Sequence, residues 1–95
     1  MITEIPANQI WPTPALIRAA RGLVGIDQAT LAKSAAVSRK AVITVENDSS
    51  EQMDYRRVAV LKKLAMALEK KFGVEFTKPV AGRGEGVRLL KSRGK

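Results

Sequence analysis

Lys40, Ile43, Thr44 and Asn47 share one side of any helix built across residues 39–47, and Arg39 sits on its flank. At ~100° per residue they point away from Val42 and Val45, the apolar positions of the same segment. The outward set offers two cations, a hydroxyl, a carboxamide and an aliphatic side chain. It can donate hydrogen bonds to anions and polar edges, but it has no general acid or base. The alternative for Arg39 and Lys40 is an ordinary solvated helix face, and for Ile43 a chance exposed apolar residue.

A second short helix must hold that face in place. Asp27 can cap it, with Leu31, Ala32 and Ala35 turned inward, and Ser38 can cap the third helix, with Ala41, Val42 and Val45 inward. For two short helices to cross steeply, the first needs a small residue at the crossing, and Ala32 supplies it. Thr13-Pro14 opens an earlier helix whose stripe is Leu16, Ile17, Ala20, Leu23 and Val24, and Gly25 stops it. Residues 47–50 read as a loop. Asp54 opens a fourth helix with the stripe Val58, Leu61, Leu64, Ala65, Leu68 and Phe72, ended by Gly73.

Beyond Gly73 the period changes. Residues 74–77 and 87–89 alternate as short strands do, and the intervening 79–86 is long for a tight hairpin. Gly82-x-Gly84-x-Gly86 looks like a phosphate-cradling loop but lacks the strand–loop–helix unit that such loops need, so it reads as a flexible linker. The chain thus divides into an arm at 1–12, with Trp11 packing back on the body, a helical domain at 13–73, and a β element with a basic tail at 74–95.

Composition narrows the chemistry. With no cysteine and no histidine among 95 residues, disulfides, thiolate or imidazole metal sites and the common catalytic triads are excluded. No enzyme activity and no cofactor are expected. A net charge of +8 on so short a chain suggests a polyanionic partner. Aromatics are 4% of residues, too few for stacking on single-stranded bases. No apolar run approaches the ~20 residues of a membrane span. The first 14 residues lack the basic-then-apolar order of a secretory signal, so a cytoplasmic, nucleoid-associated protein is expected.

The segment Gln28-x-x-Leu31-Ala32, Ala36-Val37-Ser38 and Val42-x-x-Val45-Glu46-Asn47 has the spacing of a helix-turn-helix, whose second helix can enter a DNA major groove. With Ile17-Arg18-x-x-Arg21 before it and the leucines of the fourth helix after it, the chain resembles the Cro and lambda-repressor-like (Xre) family of regulators over residues 14–76. The resemblance implies a mostly α domain of four to five helices with a small C-terminal β element. It also implies sequence-specific binding of double-stranded DNA, with a homodimer repressing transcription by covering a promoter. Arg39, Lys40 and Thr44 match positions that reach base edges, and Ile43 suits a thymine methyl. Gln28 matches a phosphate contact, with Arg18, Ser38 and Asn47 as further phosphate candidates. Arg21 and Glu46 match a pair that bridges the first and third helices. One departure is Ala36, where the family usually carries a glycine at the turn. An antitoxin that also binds a toxin protein is the alternative on the same scaffold.

Phe72, Val74, Phe76, Val87 and Leu89 place much apolar surface near the end of a small chain. A two-stranded ribbon also leaves open edges. These residues are the expected dimer interface, and the competing view is that they fold back on their own helices.

Overall fold

Each helix begins where a short polar side chain can accept from an orphan backbone N–H. In the computed structural model, which describes residues 11–48 and 53–90, helix α1 (Pro14–Val24) starts at Thr13, whose Oγ1 accepts from the Leu16 N–H at 3.2 Å. Asp27 caps α2 (Gln28–Ala35) at 2.8 Å, and Ser38 caps α3 (Arg39–Glu46) at 3.0 Å. Asp54 caps α4 (Tyr55–Phe72) at 2.9 Å. The Thr30 hydroxyl and backbone N–H hold the Asp27 carboxyl below its ordinary range. The cap therefore stabilises the fold above the usual carboxylate pKa and loses its contribution as pH falls through the lowered value.

Left-handed residues end three of the four helices. Gly25 (φ 83°) and Gly73 (φ 69°) close α1 and α4 at no steric cost. Ala36 closes α2 at φ 59°, ψ 43°, and its methyl group makes that conformation costly. The turn is nonetheless well bonded, the Val37 N–H donating to the Ala32 carbonyl at 3.0 Å. Ala36→Gly is expected to raise the unfolding free energy by about 0.5–1 kcal/mol, the relief of strain exceeding the added freedom of the unfolded chain. A shift of the urea midpoint to higher concentration at constant m-value is the measurement.

The four helices enclose one aliphatic core. Ile17 and Ala20 of α1, Leu31 and Ala32 of α2, Val42 and Val45 of α3, and Leu61, Leu64 and Leu68 of α4 are all buried. Ala32 is buried in this core, and α2 and α3 are in contact. Ala67 joins the buried set although the expected stripe omits it. Lys71 ties α4 to α2, its Nζ donating to the Ser34 carbonyl at 2.6 Å. No fifth helix occurs among the described residues. Trp11 is half-buried, and residues 1–10 of the expected arm lie outside the described residues.

Strands β1 (Val74–Thr77) and β2 (Gly86–Leu89) pair antiparallel, with Val74 opposite Leu89 and Thr77 opposite Gly86. The glycine-rich connection is not the loose linker that its composition suggests. Val80 and Arg83 exchange two backbone hydrogen bonds, at 3.1 and 2.8 Å, around a turn with positive φ at both Ala81 (49°) and Gly82 (84°). Val80–Arg83 continues the register of Thr77–Gly86, so the connection is the tight end of the same hairpin.

The ribbon leans on its own subunit. β2 lies against α1, and β1 against α4 and α1. Val74 is 1% exposed, and Phe72, Phe76, Val87 and Leu89 are partly buried against the same core. The competing view, that these residues fold back on their own helices, describes Val74 in full, while Phe72, Phe76, Val87 and Leu89 pack on the core and keep part of their surface. A two-stranded ribbon is marginal alone, and these side chains bind it to the helices. Removing residues 74–95 would therefore strip part of the core.

Candidate nucleic-acid interface

Glu46, the last residue of α3, is the one charged residue buried as a whole among the described residues, at 1% exposure. Its carboxylate is met from two other helices. From α1, the Arg21 guanidinium donates through Nε to Oε2 at 2.8 Å and through Nη2 to Oε1 at 3.1 Å. From α2, Gln28 Nε2 donates to Oε1 at 3.1 Å. The planar fork of arginine suits such a bidentate contact. Arg21 has a further bond to spare, from Nη1 to the Ile26 carbonyl at 3.2 Å just past the end of α1. Arg18, one turn earlier on α1, donates to the Glu46 backbone carbonyl, which α3 itself leaves without an intrahelical donor. One residue thus fixes the inner, C-terminal end of α3 to α1 and α2.

Two expected phosphate contacts have a bracing role as well in this geometry. Gln28 sits at the start of α2, and one N–H of its amide donates to Glu46, which leaves the second N–H and the carbonyl oxygen of the side chain for another partner. Arg18 remains exposed, but one of its donors holds the end of α3. Long-range side-chain bonds of this kind have no signature in residue spacing.

The outer face of α3 contrasts with its braced inner side. Ser38, Arg39, Lys40 and Asn47 are exposed, while Ile43 and Thr44 are half-exposed beside them. Ser38 accepts from the Ala41 N–H and keeps its own proton available for donation. Arg39 and Lys40 occupy the first turn of α3, which contains no acidic residue. Cations at the positive end of a helix dipole are unfavourable. Neither has an ion-pair partner among the described residues. An anion approaching this end of α3 would meet two cations, the hydroxyl of the cap and the helix dipole together.

A second ion pair lies just past the same end of α3. Asp48, expected only as part of a loop, has a side chain 3% exposed and accepts from Arg57 of α4 at 2.9 Å. Arg57 also lies 4.0 Å from Asp54, the cap of its own helix. The signal available in the sequence was an acidic residue just past one helix and a basic residue three positions after the next cap. That pattern alone does not distinguish a contact from a coincidence.

No helix among the described residues is long and apolar enough to cross a membrane, and no group of three or more acidic residues there could hold a metal ion. Neither a protein-family model nor a curated protein matches the chain.

Proposed function

We propose that the chain is a sequence-specific double-stranded DNA-binding regulator, acting as a homodimer that represses transcription by covering a promoter. What supports the reading is the contrast across α3. Its inner side is locked to two helices through Glu46, and its outer side presents Arg39 and Lys40, without an ion-pair partner among the described residues, at a dipole end that disfavours them. Such a cost is expected where a polyanion completes the electrostatics. Thr44 and Ile43 lie on the same exposed side, and α3 has the dimensions of a helix that enters a major groove. The net charge of +8 adds sequence-independent attraction to the same partner.

A homodimer follows from the size of the reading surface. One eight-residue helix contacts few base pairs, and paired half-sites about one helical turn apart multiply the specificity. Footprinting the purified protein on the DNA upstream of its own gene is the decisive experiment. The expected result is protection of two half-sites related by a dyad. Uniform, weak protection at every salt concentration would remove the proposal of sequence-specific regulation.

A further inference from the structure

We propose that the tip of the β hairpin, residues 78–83, is a second element that grips the phosphate backbone of duplex DNA, separate from α3. The inference rests on the proposed function for its ligand, but it concerns surface that the function above does not use. Residues 74–95 carry six of the chain's 17 cations and only two of its nine carboxylates. One of those carboxylates, Glu75, is already paired with Arg88 across the strands at 2.6 Å. Lys78 and Arg83 are exposed and have no ion-pair partner among the described residues, leaving Glu85 as the one other carboxylate of the hairpin.

The tip is also stiffer than its composition suggests. The reciprocal Val80–Arg83 bonds and the left-handed Ala81 fix the turn. Positive φ at Ala81 is what a two-residue hairpin turn demands of its first central residue, and the tip holds it there without a glycine. A rigid tip presents its cations with little ordering penalty on binding. Val80, 55% exposed beside Arg83, gives the tip an apolar shoulder against which the sugar face of a backbone can rest. β1 and β2 are seated on α1 and α4, and neither Lys78 nor Arg83 forms an ion pair with α3 among the described residues, so neither is needed to hold it.

The test is the salt dependence of binding by the full chain to a mixed-sequence DNA duplex. Removing one phosphate contact lowers the slope of log K against log salt by about 0.9. The Lys78→Ala/Arg83→Ala variant is expected to lower the slope by nearly two, with an unchanged melting temperature because both side chains are exposed. An Arg39→Ala/Lys40→Ala variant serves as the reference for α3. If the reference variant loses slope and the hairpin variant does not, the hairpin proposal is overturned while the function stands. A parent chain with no salt-dependent binding to the duplex overturns both. If Arg83→Glu weakens binding more than Arg83→Ala does, the contact is electrostatic, as proposed. Equal effects of the two would overturn it.

Discussion

Glu46→Ala is expected to lower the unfolding free energy by about 3 kcal/mol, the low end of the cost of breaking a buried pair because Arg21 keeps some solvent. Arg21 is 23% exposed, whereas Glu46 is 1% exposed, so the loss falls on donors that water reaches only partly. The variant strands the two guanidinium donors of Arg21 and the amide of Gln28 at once. For a domain of this size about 3 kcal/mol corresponds to roughly 12–24 °C in melting temperature. Glu46→Gln should lose less, because one carboxamide oxygen still accepts, but its new N–H₂ group would face the donors of Arg21 or Gln28. The paired apolar exchange Arg21→Met/Glu46→Leu should recover much of the loss, since replacing both members of a buried pair is often neutral or stabilising. Thermal unfolding of the three variants checks the set. If Glu46→Ala melts with the parent, the pair is no more than a surface contact and α3 must be held by its apolar side alone.

The features legible in the sequence are those decided within a few residues. Thr13, Asp27, Ser38 and Asp54 cap the four helices because each precedes an apolar period and its side chain needs to reach only three residues ahead. Gly25 and Gly73 end their helices for the equally local reason that φ is positive there. The left-handed Ala36 was legible only through the family resemblance, since alanine itself gives no turn signal.

The features that escaped depend on the third dimension. Alternation identified strands near residues 74–77 and 87–89 but could not say whether their apolar face meets a partner or the chain's own α1 and α4. Val80 and Arg83 pair across an Ala-Gly turn, and that dipeptide lacks the Asn, Asp or Gly usually found at its first position. Gln28 and Arg18 fall at positions that read as outward-facing until Glu46 is brought beneath them by the crossing of α1, α2 and α3.

Arg39→Ala and Lys40→Ala together are expected to reduce affinity for the operator by about 2–6 kcal/mol, at about 1–3 kcal/mol for each base that is no longer read. Arginine and lysine both suit the O6 and N7 acceptors of guanine, so the loss should appear as relaxed preference at guanine positions of each half-site. Thr44→Ala, half-exposed one turn on from Lys40, should lose less and relax a different position. Stability should not fall with any of the three. Arg39 and Lys40 contribute no ion pair among the described residues, and removing two cations from the positive end of α3 relieves the helix dipole. A small rise in melting temperature together with a large loss of specific binding would be the signature of side chains kept for a ligand. Arg18→Ala should behave differently. It frees the Glu46 carbonyl and lets the end of α3 move, so it should weaken binding to all sequences alike and lower the melting temperature as well. Binding titrations on the operator and on a scrambled duplex, paired with thermal unfolding, separate the two classes. If the Arg39 and Lys40 variants bind the operator as the parent does, α3 is not the reading element, whatever the rest of the chain does with DNA.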